Sequence, residues 1–248
     1  ALEEASSSGI EEFIFVVGSN TSLLKDYFSK WPALKQKLKK DNQTILLREI
    51  NKIEKFLPKI KFVNQKFPLG LGHAIWCARK IIGDDFFAVI LPDDLILAKN
   101  PCLKQMIEAH KRVGGNLVAV EKVPSDQVNR YGILDPASSK GSLIKVKRLV
   151  EKPKPKSSPS SLAIIGRYIL SPAIFSFLRK KQKGVGGEIQ ITDAISSSLQ
   201  KIAFHGFRFN GSRFDCGNEE GYLEASLAFS YNTSRKKKSL RKIIRKYL

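Results

Sequence analysis

The chain has 248 residues, 42% of them hydrophobic, which suits one large domain, or a domain with a small lobe, and excludes a disordered chain. No run of about eighteen apolar residues occurs, which excludes a membrane-spanning helix, and the first residues lack the basic-then-apolar pattern of a secretory signal. Lys and Arg number 43 against 23 acids, a formal charge of +20 that favours anionic partners. No zinc-finger, RNA-binding aromatic or helix-turn-helix pattern accompanies that charge, so a solvated basic surface is expected and no nucleic-acid function.

In chain order, residues 2–8 read as the end of a helix closed by Gly9, opening in mid-pattern and without an initiator Met. Glu12 to Gly18 is a short buried strand, and Ser22 to Phe28 a helix. From Leu34 to Leu57 the apolar spacing predicts one long helix, kinked or split in two near Asp41-Asn42 and stopped by Pro58. Lys59 to Asn64 is a strand with Gln65 at its end. Gly70-Leu71-Gly72 is a turn opening a helix from His73 to Ile82. Phe86 to Leu91 is a continuous apolar strand that ends on Pro92-Asp93-Asp94.

A helix is predicted over Cys102 to Val113, a strand over Asn116 to Val123, and an antiparallel pair over Tyr131 to Leu134 and Ile144 to Val150. A Pro/Ser loop over 152–160 precedes a strand from Leu162 to Leu170 and a helix through Leu178, capped by Ser171-Pro172. Gly184 to Gly187 is a loop, Ile189 to Leu199 a helix, Ile202 to Asn210 a strand, Phe214 to Gly217 a turn, and Gly221 to Ser230 a helix. Continuous apolar strands alternating with helices predict an α/β, Rossmann-like mixed sheet covered by helices on both faces.

Arg235 to Leu248 carries eight Lys or Arg, no acid, and apolar residues at spacings of three and four, a basic amphipathic helix. It is expected to dock on its own domain or on a sister subunit rather than on an acidic membrane. This divides the chain into a domain at 1–232 and a terminal helix at 233–248. Cys77, Cys102 and Cys216 are too few and too widely spaced for a disulfide framework or a metal motif, which points to a reducing, cytoplasmic setting.

In an open α/β sheet, ligands collect outside the carboxyl ends of the strands. Asp93 and Asp215 both follow apolar strand residues, and two such carboxylates together could hold Mg²⁺, although each alone suits a turn. Gly70 and Gly72 permit close backbone approach to a ligand and leave free N–H groups at a helix start, or merely form a tight turn. Glu151 and Lys152 end a strand, where adjacent side chains can face one ligand only if the strand twists or stops. Gly187-Glu188 opens a helix.

Taken in order, Gly70-Leu71-Gly72-His73-Ala74, Leu91-Pro92-Asp93-Asp94, Val150-Glu151-Lys152-Pro153, Gly187-Glu188-Ile189-Gln190-Ile191-Thr192-Asp193 and Asp215-Cys216-Gly217-Asn218 resemble the bacterial UTP–glucose-1-phosphate uridylyltransferases, within the sugar-phosphate nucleotidyltransferases. The resemblance covers residues 1 to about 232. It implies a Mg²⁺-dependent synthesis of UDP-glucose and pyrophosphate from UTP and glucose 1-phosphate, by a dimer or tetramer. By motif, Gln65 would bind uracil, with Gly70, Gly72 and His73 beside the nucleotide. Asp93 and Asp215 would ligate Mg²⁺, Gly132, Glu151 and Glu188 would contact glucose, and Lys152 would neutralise phosphate charge.

Two departures accompany the resemblance. The Gly-x-Gly-Thr-Arg loop and first strand with which such proteins begin have no counterpart here, so a truncated chain with poor UTP binding and little turnover is expected. Lys66 follows Gln65 where the family usually has Gly, which reshapes the uracil pocket. The alternatives are another sugar-1-phosphate nucleotidyltransferase of the same fold, or an inactive remnant that serves as a binding protein.

Overall fold

The computed structural model describes residues 1–18, 21–180, 182–233 and 237–247. Helix α1 (Leu2–Ser7) leads into strand β1 (Phe13–Val17), and helices α2 (Thr21–Ser29), α3 (Trp31–Lys40) and α4 (Thr44–Glu54) follow. The long predicted helix is thus two, broken at Asn42, which adopts φ 52°, a left-handed conformation that Asn tolerates better than most residues. Strand β2 (Ile60–Asn64) pairs in parallel with β1, and α5 (Leu71–Ile82) starts at Gly70.

Strands β3 (Phe87–Ile90) and β4 (Asp94–Leu97) flank the Pro92-Asp93 turn, and α6 (Cys102–Val113) and β5 (Asn116–Lys122) come next. The antiparallel arm is β6 (Gly132–Lys140) with β7 (Leu143–Glu151), followed by β8 (Leu162–Leu170) and α7 (Ile174–Leu178). Ser171 makes no side-chain cap on α7; its hydroxyl is buried without a hydrogen-bond partner, because the chain enters α7 through a turn whose Ile174 N–H bonds the Ser171 carbonyl. Helix α8 (Ile191–Ser198), strands β9 (Phe204–Arg208) and β10 (Ser212–Asp215), and helices α9 (Glu219–Thr233) and α10 (Lys237–Ile244) complete the chain.

The main sheet runs β3-β8-β5-β9-β7-β6 and is mixed: β5 and β9 are parallel, and the other ladders are antiparallel. Side chains alternate across it. Leu117 and Ala119 of β5 point into a core with α1 and α6, while Val118 and Val120 point into a second core with α5, α7 and α8. Burial on both faces is why these strands read as continuous apolar runs. Strand β1 pairs with β2 and β3 with β8, and no ladder joins β1 to β3 among the described residues; apolar cavities on either side of that seam are lined by both strands.

One buried side chain pins the turn that carries Asp93. Arg167, in the middle of β8, is 0% exposed. Its guanidinium donates to both carboxylate oxygens of Glu4 in α1, to the Leu91 carbonyl at 3.1 Å and to the Asp94 carbonyl at 2.7 Å. A fully buried charge persists only when paired and hydrogen-bonded in this way.

At the other end, α10 packs on α9, with Lys237 over the Tyr231 ring and Arg241 donating to the Tyr231 hydroxyl at 2.7 Å. None of its residues is buried, so the helix is not sunk into its own domain; Arg235 and Leu248 of the predicted tail helix lie outside the described residues. No helix of the described residues is long and apolar enough to cross a membrane.

Candidate active site

The two predicted carboxylates meet through a strand pairing that spans the chain. Strands β4 and β10 are antiparallel, with Asp94 directly opposite Asp215, and the Cys216 N–H donates to the Asp93 carbonyl at 2.8 Å. Residue 214–215 is therefore the end of a strand, not part of a free turn as its sequence suggested. The ladder forms because Phe214 is buried against the body of the protein.

The three acids divide by environment. Asp94 is buried; it accepts from the Gly166 N–H at 2.8 Å and from Arg213, so it is an internal strut. Arg213 is also enclosed, its side chain 8% exposed. Burial alone would lower its affinity for the proton, but Asp94 and the Tyr131 hydroxyl outweigh that and hold it raised. Asp215 is more open: Oδ2 accepts from Tyr131 at 3.0 Å and Arg130 at 3.1 Å, and Oδ1 from the Gly217 N–H at 3.1 Å. Asp93 stands beside it. Burial, and then the neighbouring acids Asp215, Asp93 and Asp94, push the Cys216 thiol up, which keeps it protonated; all three cysteines are free.

The opposite wall is made by β6, β7 and α8. Gly132 pairs with Glu151 across β6 and β7, and Thr192 at the start of α8 donates to Glu151 Oε2 at 2.8 Å. A Cβ on Gly132 would lie 2.7 Å from Thr192 Cγ2 and 3.1 Å from Glu151 Oε2, so only glycine fits here. Burial pushes the Glu151 carboxyl above its ordinary value, against the opposing pull of the Thr192 bond and of Lys152.

Lys152 takes φ 45°, a left-handed conformation that costs a side-chain-bearing residue about 1–3 kcal/mol. Its N–H is held by the Tyr131 carbonyl at 3.0 Å. This sharp end to β7 lets Glu151 and Lys152 line the same space, which a continuing strand would forbid. The result is a cleft of about 440 Å³ lined by Asp93, Asp215, Gly132, Glu151, Lys152 and Glu188. Thr192, which lies in the Gly187–Asp193 motif but was given no role, also lines it, as do Arg130, Tyr131 and Arg213, which were not foreseen. The one signal for Arg130 and Tyr131 was adjacency, since they immediately precede Gly132.

The other predicted residues form a neighbouring group. Gln65 Nε2 donates to the Gly70 carbonyl at 3.1 Å and lies 3.1 Å from His73 Nδ1. Gly70, at φ 95°, and Gly72 pack against the segment before α8, where a Cβ would come within 2.8 Å of Glu188 Cβ and 2.6 Å of the Ile189 carbonyl respectively. The Gly72 N–H is not free for a ligand, because it donates to Ile189 at 2.8 Å. Both glycines thus serve a close approach between two parts of the protein. Leu71 and Glu188 connect this group to the cleft.

Among the described residues no cluster of three or more His, Cys, Asp or Glu could hold a metal. Two carboxylates and no soft donor still fit Mg²⁺, which keeps water and phosphate as its remaining ligands. With five acids, Asp94 among them buried, and two exposed cations around it, the cleft is suited to a polyhydroxylated, phosphate-bearing ligand.

A profile of the nucleotidyl transferase family matches residues 4–231. A UTP–glucose-1-phosphate uridylyltransferase of Bacillus subtilis (strain 168) is 41% identical over 229 residues, covering 92% of this chain and 78% of the relative. One from Komagataeibacter xylinus is 42% identical over 219 residues, covering 88% and 77%. Among solved structures, a UDP-glucose pyrophosphorylase complexed with UDP-glucose superposes with TM-score 0.82 at 37% identity, over 93% of this chain and 85% of that one. A UTP-bound enzyme from Acinetobacter baumannii gives 0.87 at 34% identity, over 98% and 85%.

Proposed function

The chain belongs to the nucleotidyl transferase family, and we propose that it transfers a uridylyl group from UTP to glucose 1-phosphate, giving UDP-glucose and pyrophosphate. The observation that carries this reading is the turn at Lys152, which gives one cleft both a hydroxyl-accepting carboxylate and an ammonium, facing the Asp93–Asp215 pair.

In the reaction, a phosphate oxygen of glucose 1-phosphate attacks the α-phosphorus of UTP in line. The bond from that phosphorus to the bridging oxygen breaks, and pyrophosphate leaves with the electron pair. The nucleophile is already an anion, so no side chain need take a proton. The protein's task is positioning and charge stabilisation.

Asp93 and Asp215 would hold Mg²⁺, whose contribution when bound is to neutralise charge on the phosphate oxygens. Lys152 neutralises phosphate charge from the opposite wall. Glu151, oriented by Thr192, accepts from glucose hydroxyls, and Gly132 lets Thr192 and Glu151 close together beside the ring. Glu188 closes the sugar side. Gln65, steadied by Gly70 and His73, presents its amide to uracil, with Gly72 setting the start of α5. The free thiols suit a cytoplasmic setting, and the exposed Tyr222 and Leu223 on α9 suit a homo-oligomer.

The test is pyrophosphate release with Mg²⁺ across a panel of nucleoside triphosphates and sugar 1-phosphates. Release is expected with UTP and glucose 1-phosphate. Preference for another base or sugar would assign the chain to another member of the same fold.

A further inference from the structure

We propose that Arg130 is a displaceable counter-ion: it holds Asp215 while the site is empty of metal, and moves to a substrate phosphate when a cation takes that carboxylate. The inference rests on the metal and phosphate reading of the cleft given above.

Two arginines approach Asp215, and their situations differ. Arg213 is 8% exposed, bonds Asp94, lies 3.3 Å from the Tyr131 hydroxyl and comes within 3.7 Å of Asp215 Oδ2. Releasing it would leave Asp94 buried and unpaired, so it stays. Arg130 is 46% exposed and makes one ion pair, at 3.1 Å, to the same Oδ2. A pair that open contributes little to stability, so it can be broken at little cost.

The competition is for one atom. Oδ2 already accepts from Tyr131 and Arg130, while Oδ1 accepts from the Gly217 N–H. A divalent cation on Asp215 would face the Arg130 guanidinium at contact distance, and like charges there repel. The guanidinium has somewhere to go. Arg130 ends the turn Val128–Arg130, and the next residue, Tyr131, holds the Lys152 backbone through its carbonyl. Arg130 and Lys152 therefore stand at the same rim of the cleft. A guanidinium fork fits phosphate oxygens in bidentate fashion, which makes the phosphate-bearing substrates the natural second partner.

The two states predict opposite effects from one substitution. In Arg130→Gln, metal binding to the ligand-free protein should tighten, because a competing cation is gone. Substrate binding should weaken, because a phosphate contact is gone. A purely structural arginine would do neither in this combination.

The experiment titrates Mn²⁺ into the ligand-free full chain, reading free ion by its electron paramagnetic resonance signal, for wild type, Arg130→Gln and Asp215→Asn. KM for UTP and for glucose 1-phosphate is then measured separately. Arg130→Gln should bind Mn²⁺ about fivefold tighter than wild type. One KM should rise about tenfold with kcat little changed, and Arg130→Lys should restore part of it. A rise confined to UTP identifies the nucleotide phosphates as the partner, and one confined to glucose 1-phosphate identifies the sugar phosphate. If Asp215→Asn abolishes Mn²⁺ binding but Arg130→Gln binds no tighter than wild type, the inference fails and the metal reading stands. If Asp215→Asn leaves Mn²⁺ binding unchanged, both fail.

Discussion

On the β4–β10 wall of the cleft, Asp94, Arg213 and Asp215 are held by charge. On the β6–β7 wall, Gly132, Glu151 and Thr192 are held by close packing and a hydrogen bond from a neutral hydroxyl. Under the exchange proposed for Arg130, the first wall would swap one cation for another on carboxylates already in place. The second can change its ligand only by changing its shape. On the proposed reading, with metal and phosphates on one side and the sugar on the other, that division of labour suits the two kinds of ligand.

Breaking the charged wall should have the largest effects. Arg213→Met leaves Asp94 buried without its partner and is expected to lower stability by about 3–5 kcal/mol, read as a fall in the urea midpoint. Asp215→Asn keeps the ladder and the Gly217 contact, and removes a charge from the proposed metal site. Its kcat/KM should drop about 10²–10³-fold with the urea midpoint little moved. A similar loss from Asp94→Asn unaccompanied by destabilisation would contradict the distinction between strut and ligand.

The packed wall should respond in a different currency. Gly132→Ala pushes a methyl group between Thr192 and Glu151 and is expected to cost about 1–3 kcal/mol in stability and to raise KM for the sugar phosphate more than for UTP. Thr192→Val removes one hydrogen bond, worth about 1 kcal/mol, and should raise the same KM a few-fold.

The smallest and most diagnostic effect is in the pH profile. Burial raises the Glu151 carboxyl above its ordinary value of 4.5, so the folded state holds that proton more tightly than the unfolded chain does. Its contribution to folding is therefore present below the ordinary value and is lost as pH rises toward the raised one. Sugar hydroxyls donate to the ionised form, so KM for glucose 1-phosphate should fall across the same interval. Glu151→Gln should flatten that slope; an unchanged slope would remove Glu151 from the sugar site.

Much of this architecture was legible in the residues. Cys102–Val113 and Leu162–Leu170 match their predicted bounds, because a capped apolar period and a doubly buried run are local signals. The β4–β10 ladder was not legible. It joins two four-residue segments, 94–97 and 212–215, and a register set over that separation leaves no periodicity in either one. The same reason hid Arg213: its role depends on Asp94 lying across the ladder.

The candidate site was legible as motifs and not as geometry. The resemblance singles out Asp93 from the Asp93-Asp94 pair, and nothing in either residue's own type explains the choice; the structure does, burying Asp94 against Arg213 and the Gly166 N–H and leaving Asp93 exposed at the cleft. Gly70 and Gly72 suggested open backbone for a ligand, whereas the Ile189 segment occupies that space. The possibility that Glu151 and Lys152 face one ligand depended on where the strand ended, and the left-handed Lys152 provides the answer.

The most direct test of the account is pyrophosphate release from UTP and glucose 1-phosphate with Mg²⁺, measured side by side for wild type, Asp215→Asn and Lys152→Met. The account predicts release by wild type, however slow, that needs both substrates and is lost in both variants while their folds persist. Wild-type rates in both folded variants would contradict it.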